Sequence, residues 1–224
     1  MKSLSLQTQR ITEVNVIITA KNLKKSFEDR ELFSEVNIDI PKGKKIAITG
    51  RSGSGKTTLL NILGLIETAD SGEILIYGSP VGDKSHLIRN ESIGFVFQFH
   101  HLNPELTVFE NLEIPRLIQG KKLLRHEALD FLKSVNLEDK IDSMAKHLSG
   151  GQKQRVAFCR ALVNHPDLIL ADEPTGQLDQ AQAEVMIQLL LSLPQAVVLV
   201  THDRQFASLM DEKYELINHR LTSW

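Results

Sequence analysis

The chain has 224 residues, of which 42% are hydrophobic and 24% are charged, and its formal net charge at pH 7 is −2. This length is enough for one domain with a substantial core, and the balanced charge argues against nucleic acid as a partner. The one cysteine, Cys159, excludes an internal disulfide and fits a reducing compartment such as the cytosol.

No segment of the sequence predicts a signal peptide or a membrane span. Met1–Arg10 is polar and lacks the apolar stretch of a secretory signal. Met186–Val200 is the most apolar region, but polar residues and a proline interrupt it, whereas a spanning helix needs about 20 mostly apolar residues. We therefore expect no direct membrane insertion, and another chain would have to supply any pore.

Short apolar, β-branched runs alternate with helical patterns, which predicts an α/β architecture. In the first part of the chain the predicted elements are strands at Val14–Ala20, Val36–Ile40, Lys45–Thr49, Gly72–Tyr77 and Ile93–Gln98, and a helix from Thr57 to about Ile66.

The middle of the chain has a different sequence pattern. From Glu105 to about His147 the pattern is helical without a convincing strand, and Pro115 and Gly120 are expected to divide it. This predicts a helical subdomain inserted into the α/β core. The predicted elements that follow are a helix from Ser149 to about Asn164, strand Leu168–Ala171, helix Gln180–Leu193, strand Ala196–Thr201, a last helix and two short strands.

Residues Gly50–Thr57 match the phosphate-loop pattern GxxxxGK[ST] in full, with an apolar strand before them and a helical pattern after them. The glycines let several backbone N–H groups point into one concavity, and the helix N-terminus adds partial positive charge. We expect Lys56 to contact the β- and γ-phosphates and Thr57 to bind Mg²⁺. The motif indicates a nucleoside triphosphate site without separating kinases, GTPases and ATPases. The plainer alternative is a surface turn rich in glycine and serine.

Two carboxylates follow the apolar strand Leu168–Ala171, and ligands bind beyond the carboxyl ends of parallel strands. We expect Asp172 to serve Mg²⁺, directly or through water, and Glu173 to polarise the attacking water. The alternative is a solvated acidic turn.

His202 follows the next predicted strand and would reach the γ-phosphate or the attacking water, although a histidine in such a position is more often structural.

The segment Leu148–Gln152 reads Leu-Ser-Gly-Gly-Gln. Ser149 and Gln152 fit a helix capping box, so a capped helix start is one interpretation. The two glycines indicate a role beyond capping, because each costs about 1 kcal/mol relative to alanine inside a helix. A phosphate on exposed N–H groups would repay that cost. Since the chain already has one phosphate cradle, a second one predicts a nucleotide held by another copy.

Together, the phosphate loop, Leu148–Gln152 and Ala171-Asp172-Glu173 resemble the signature of the ABC (ATP-binding cassette) ATPases, in order and rough spacing from about Val16 to Arg220. The resemblance implies a phosphate-loop NTPase (RecA-like) α/β core with an antiparallel β-subdomain and an inserted helical subdomain. It implies one domain over residues 1–224, with the core at 1–98 and 165–224 and the helical signature subdomain at about 99–164.

The resemblance also implies the site residues. Gln98 looks like the family's glutamine that touches Mg²⁺ and senses the membrane partner, and Asp179 belongs to the loop that crosses the dimer interface. Phe27 stands where the family stacks an aromatic on adenine, the alternative being a core aromatic. The implied nucleotide-binding set is Gly50, Arg51, Ser52, Gly53, Ser54, Gly55, Lys56, Thr57, Thr58, Phe27, Ser149, Gly150, Gly151, Gln152 and Asp179; the catalytic set is Glu173, His202 and Gln98; the metal set is Thr57, Gln98 and Asp172.

Gly94–Leu102, Glu105–Asn111 and Ala171–Gly176 resemble the lipoprotein-releasing and macrolide-exporter group of bacterial ABC ATPases. An ATP-hydrolysing subunit is therefore expected, using ATP and Mg²⁺ and forming a homodimer on ATP binding. It would drive export or extraction through a separate transmembrane permease subunit, and lie in the cytoplasm on the inner face of the membrane. The sequence departs from that group in Gln177, in a short Gly78–Ser92 stretch and in Ile217–Arg220, which lacks the usual aspartate-glycine turn.

Other functions are compatible with parts of the pattern. An ABC ATPase could regulate a membrane protein in cell-wall remodelling at division. Translation factors of this class usually carry two cassettes, and repair ATPases carry a long coiled-coil insert, neither of which is present. A small kinase would have no use for Leu148–Gln152. For a membrane partner, we expect several apolar side chains of Gln98–Arg116 to line a surface groove.

Overall fold

The structure is a computed structural model that describes residues 15–28, 30–83 and 85–224. Met1–Arg10, predicted to carry no signal, and Val14, the first residue of the first predicted strand, lie outside the described residues. The strands are β1 (Val16–Phe27), β2 (Arg30–Pro41), β3 (Lys45–Thr49), β4 (Ser71–Ile76), β5 (Ser79–Pro80), β6 (Ile93–Val96), β7 (Leu168–Asp172), β8 (Ala196–Val200), β9 (Glu212–Ile217) and β10 (Arg220–Ser223). The α-helices are α1 (Lys56–Leu63), α2 (Ser85–Ser92), α3 (Val108–Ile118), α4 (Arg125–Lys133), α5 (Gly150–Leu162), α6 (Gln180–Ser192) and α7 (Arg204–Ser208).

The chain divides into two compact units. The described part of Met1–His86 forms the first unit together with Leu193–Trp224, and Leu87–Ser192 forms the second. The predicted helical subdomain of about residues 99–164 lies within the second unit, and its limits stay a prediction.

An antiparallel sheet with the strand order β2-β1-β4-β5 occupies the first unit, which confirms the predicted antiparallel β-subdomain. β1 and β2 form a long hairpin that was predicted too short at both strands. The apolar alternation fails at Asn22, whose φ is 51°, and the register shifts between Ala20 and Leu23. The strands nevertheless continue to the turn, so Phe27 lies at the far end of the hairpin.

The same unit contains a parallel set in which β3 pairs with β8 on one side and β9 on the other. Every residue of β3 and β8 is buried. The wholly apolar sequence of β8 predicts this, as does the apolar centre of β3, which Lys45 and Thr49 flank. Ile48 is in register with Val200, so the carboxyl ends of β3 and β8 lie at the same edge of the sheet.

The last two strands form a tight hairpin without the aspartate-glycine pair. β9 ends at Ile217 and β10 begins at Arg220, and the two residues between them, Asn218 and His219, have φ of 48° and 63°. Positive φ at both central residues is the geometry of a type I′ turn. Asparagine tolerates that conformation well, so the departure from the family's usual turn does not disturb the hairpin.

The second unit contains the parallel pair β6 and β7 and the helices α3 to α6. Helix α5 packs closely on β6, since a Cβ on Gly94 would overlap the carbonyl of Ala161. The prediction of a helical stretch from Glu105 to about His147 is confirmed: the described residues there form α3, α4 and two short 3₁₀ turns, with one isolated bridge between Thr107 and Met144.

The predicted division at Pro115 is wrong. Helix α3 runs through Pro115 to Ile118, and Gly120 follows its end. A proline removes one intrahelical hydrogen bond but does not end a helix that neighbouring packing supports. Here the Asn164 side chain donates to the Pro115 carbonyl at 3.2 Å.

Cys159 is fully buried on α5, where its thiol donates to the carbonyl of Phe131 at 3.4 Å. Burial raises the pKa of this thiol to about 12, so it stays protonated and packs as a small apolar residue. None of the helices in the described part of the chain has the length and apolar character of a membrane span.

Candidate functional site

The phosphate loop follows β3 in the first unit and has a backbone that glycine alone adopts easily. Gly50, Gly53 and Gly55 have φ of 148°, 73° and 102°. At Gly50 a Cβ would also lie 2.7 Å from the Leu216 carbonyl, and at Gly55 it would lie 3.2 Å from Phe33. The glycines of the motif therefore permit both the curl of the loop and its close packing.

Lys56 begins helix α1 and is 8% exposed. Its ammonium donates to the carbonyls of Gly50 and Arg51 at 2.9 and 3.1 Å, so the charge lies inside the curve of the loop. The cap residue Gly55 offers no side-chain acceptor to the first turn. The Ser54 hydroxyl is buried and has no hydrogen-bond partner among the described residues. A cationic concavity with open N–H donors and a spare hydroxyl fits a polyphosphate.

His202 lies at the same edge of the first unit, directly after β8. The chain there is fixed on both sides, because Thr201 N–H donates to the Ile48 carbonyl at 3.2 Å and the Asp203 carboxylate caps α7 at Gln205 and Phe206. The His202 side chain is exposed. The two strands thus bring His202 and the phosphate loop to one sheet edge.

Phe27 is 51% exposed at the end of β1, which excludes the alternative that it is a core aromatic. The ammonium of Lys25 lies 5.3 Å from the ring centroid and pairs with Glu67 and Asp70. The ring is therefore presented at the surface, where an aromatic ligand could stack on it.

In the second unit the parallel pairing of β6 and β7 brings two predicted groups together. Val96 is in register with Ala171, so Gln98 and the carboxylates Asp172 and Glu173 follow strands that end at the same edge. The Gln98 side chain lies against the next turn, since a Cβ on Gly176 would be 3.0 Å from its Nε2. Glu173 has φ of 44°, and its carbonyl accepts the N–H of Gly176 at 3.0 Å.

Helix α5 begins with the predicted capping box. The Ser149 hydroxyl accepts a hydrogen bond from the backbone N–H of Gln152 at 3.3 Å, and the side-chain oxygen Oε1 of Gln152 accepts one from the backbone N–H of Ser149 at 2.9 Å. Ser149 and Gly150 are exposed, and nothing lies within 4 Å of a Cβ built on Gly150. Gly151 differs, because its Cα faces the side chain of Gln182 on α6. The predicted approach of a phosphate therefore remains open for Gly150, whereas Gly151 has a neighbour in its own chain.

The sequence did not predict three side chains that bond to the segments carrying the candidate residues. Gln182 bonds to Asp179 with both its backbone N–H and its side-chain amide. Gln154, 3% exposed, donates to the Phe97 carbonyl at 2.8 Å and fixes the chain just before Gln98. Arg160 donates to the carbonyls of His100 and His101 at 2.9 and 2.7 Å. A polar residue on the buried face of α5 was the available signal for Gln154.

The segment after Gln98 presents apolar side chains unevenly. Phe99 is 57% exposed, Leu112 is buried, and the remaining predicted groove residues are half-buried: Leu102, Leu106, Phe109 and Ile114. Burial lowers the pKa of His100, and the neighbouring charges of Lys153, His101 and Arg160 lower it further. Both effects disfavour protonation of His100.

The residues present also fit a Mg²⁺ site in which the phosphates of the nucleotide supply some of the ligands. The described residues contain no group of three His, Cys, Asp or Glu side chains that would hold a metal by themselves. Mg²⁺ usually binds through one or two carboxylates together with substrate phosphates. Asp172 and Gln98, at one edge of the second unit, have side-chain oxygens of that kind.

Comparison with known proteins gives consistent matches. The sequence profile of a family described as ABC transporter matches residues 33–176. The lipoprotein-releasing system ATP-binding protein LolD of Porphyromonas gingivalis is 46% identical over 86% of this chain and 93% of its own length. LolD of Treponema denticola is 45% identical over 92% of this chain and 97% of its own length.

Solved structures agree with the sequence matches. The dimeric ABC transporter cassette MJ0796 superimposes with a TM-score of 0.83 and 36% identity, covering 92% of this chain and 96% of that one. A dimeric post-hydrolysis state of the same cassette, bound to ADP and Pi, gives a TM-score of 0.82 and 35% identity, covering 93% of this chain and 98% of that one.

Proposed function

The chain belongs to the ABC transporter family and is an ATPase, and we propose that it is the ATP-hydrolysing subunit of a transporter whose membrane-spanning part is a separate permease chain. The proposal includes an ATP-driven homodimer and a location on the cytoplasmic face of the membrane, reached through the permease. The names of the curated relatives favour lipoprotein release over a regulatory role in cell-wall remodelling.

One observation carries the proposal. Helix α5 begins with an exposed, capped turn at Ser149 and Gly150, although the chain already has a complete phosphate loop for one nucleotide. An exposed helix start favours an anion. A second copy of the chain supplies that anion when its own phosphate loop holds ATP, and MJ0796 is a dimer of such cassettes.

The first unit would bind the nucleotide. The phosphate-loop N–H groups and Lys56 would hold the phosphates, with Thr57 and Thr58 at the first turn of α1. Phe27 would stack on adenine, and His202 would hydrogen-bond the γ-phosphate. These assignments are supported by the cationic loop, the exposed ring and the shared sheet edge.

The second unit would supply the hydrolytic groups. Glu173 would accept a proton from the attacking water as general base, while Asp172 and Gln98 would join Thr57 in holding Mg²⁺. The bound metal would neutralise phosphate charge. Ser149, Gly150, Gly151, Gln152 and Asp179 would serve the nucleotide of the second copy.

The permease would contact the segment after Gln98. An exposed Phe99 beside half-buried apolar side chains is the kind of surface that a separate chain covers. Gln154 and Arg160 hold that segment on α5, so a displacement at the surface would be transmitted to the helix that begins at Gly150.

The proposal is tested by purifying the chain with its permease and reconstituting both in lipid vesicles that contain a lipoprotein. We expect ATP-dependent release of the lipoprotein to an acceptor. Phe99→Asp should abolish copurification and leave hydrolysis by the isolated chain unchanged. Leu124→Asp, at a leucine that is 54% exposed outside the segment, should copurify normally. Hydrolysis without any release would favour the regulatory alternative.

A further inference from the structure

A side chain from the start of α6 reaches the start of α5. Gly151 is buried, and a Cβ built on it would overlap the side-chain carbonyl oxygen of Gln182. The other end of the same amide donates from Nε2 to Asp179 Oδ2, and the Gln182 backbone N–H donates to Asp179 Oδ1 at 2.9 Å. Gln182 therefore spans the space between Asp179 and the second glycine of α5.

We propose that Gln182 is a positioning residue that keeps Asp179 and the start of α5 in one fixed arrangement, and that position 151 is glycine to admit the Gln182 amide. The inference rests on the proposed function, in which Asp179 and Ser149–Gly151 meet the second copy. A dimer needs both groups in place at once, so a rigid link between them reduces the ordering that dimerisation must supply.

Gly151 is held from both sides. Gln182 lies against its Cα, and the Arg155 Nε–H reaches its carbonyl at 3.5 Å. The backbone of Gly151 is not in the left-handed region, since its φ is not positive. Alanine at this position is thus compatible with the backbone and conflicts with the Gln182 side chain alone.

A cavity beside Gly151 can accommodate the displaced Gln182 amide. A cavity of about 190 Å³ is bordered by Gly151, Leu178, Gln182 and Met186, and Gln182 itself is exposed. In Gly151→Ala the end of the glutamine swings aside and the chain still folds. What is lost is the bond to Asp179, which is the same loss as in Gln182→Ala.

This inference differs from the interpretation that both glycines of the motif exist for a phosphate. If Gly151 is glycine because a nucleotide approaches it, a methyl group there harms the dimer whether or not Gln182 is present. If it is glycine because Gln182 approaches it, the two substitutions break one link and their effects do not add.

The test is a double-mutant cycle in a Glu173→Gln parent. Gly151→Ala, Gln182→Ala and the double variant are compared by the dissociation constant of the MgATP-bound dimer, measured by analytical ultracentrifugation. Each single variant should weaken the dimer about tenfold, as expected for a lost hydrogen bond to a charged group, and the double variant should be no weaker than either. Binding of a fluorescent ADP analogue by the isolated Gln182→Ala chain should match that of the parent.

The matched control is Gln180→Ala, which removes a glutamine of the same helix whose side-chain amide donates to Glu184 at 2.9 Å; it should dimerise as the parent does. A Gln182→Ala variant that dimerises normally, or a double variant that shows the product of the two single effects, overturns the inference while the proposed function stands. A parent that stays monomeric with MgATP overturns the proposed function and the link with it.

Discussion

Helix α1 in the first unit begins directly after Gly55, whereas helix α5 in the second begins with Gly150 and Gly151, and the two present their first N–H groups differently. At α1 the glycines have positive φ, no side chain caps the first turn, and Lys56 lies inside the curved loop. At α5 Ser149 and Gln152 cap each other, and Ser149 and Gly150 are exposed.

The difference indicates two kinds of anion site. The loop before α1 combines charge, hydrogen-bond donors and a concave shape in one stretch of chain, which suits an anion. The start of α5 offers one face and needs an opposing surface. Under the proposed function a second copy would supply that surface, and the following predictions test the two regions separately.

The largest effect should come from Glu173→Gln, which removes the proton acceptor while the phosphate loop stays intact. Hydrolysis should fall by about 10²–10⁴-fold, measured by phosphate release. Without hydrolysis the MgATP-bound dimer persists, so size-exclusion chromatography should show a dimer with MgATP, while wild type stays largely monomeric without its membrane partner. Glu184→Gln, at an exposed carboxylate on α6, should behave as wild type. A Glu173→Gln protein with wild-type turnover would remove Glu173 from the role of base.

A smaller effect is expected for the first unit's own ligand contacts. Phe27→Ala should weaken ATP binding by about tenfold to a hundredfold, because stacking on an aromatic is worth about 1–3 kcal/mol. Folding should survive, since the ring is 51% exposed.

Tyr77→Ala is the matched control, because Tyr77 is an exposed aromatic of the same unit with the Lys42 ammonium 5.5 Å from its ring centroid. Calorimetric titration of both variants distinguishes a specific stacking residue from a surface aromatic. Equal affinities in the two variants would show that another group holds the base.

The smallest effect concerns the two capping boxes. Ser149→Ala and Thr107→Ala remove the same kind of bond at α5 and at α3, where Thr107 and Glu110 cap each other. Each should lower the free energy of unfolding by about 1 kcal/mol in urea titrations. Only Ser149→Ala should also weaken MgATP-driven dimerisation. Equal dimerisation by both variants would limit Ser149 to a cap.

Much of this arrangement was predictable. β3, β7 and β8 were located to within a residue because each is an unbroken apolar run that ends at polar residues or glycine. The phosphate loop and the capping box were predictable because their chemistry is local. In the capping box, four consecutive residues determine which N–H donates to which oxygen.

The remainder depends on tertiary contacts that no local pattern encodes. The length of the β1–β2 hairpin depends on pairing through polar positions such as Asn22, where the alternation fails. The contact of Gly151 with Gln182 joins two helices that are distant in sequence, so the glycines of the motif were attributed to a phosphate alone.

One mixing experiment determines whether each nucleotide is shared between two copies of the chain. Lys56→Ala disables a chain's own phosphate loop, and Ser149→Arg blocks the α5 start that it offers to its neighbour. Each variant alone should be inactive. In a mixed dimer both defects fall on one shared site, and the other site is intact.

Phosphate release is measured for each variant and for their mixture, with two different affinity tags to capture the mixed dimer. We predict that the mixture recovers part of the wild-type rate, up to the share expected for one intact site. Captured mixed dimers that hydrolyse no more ATP than either variant alone would contradict the shared site.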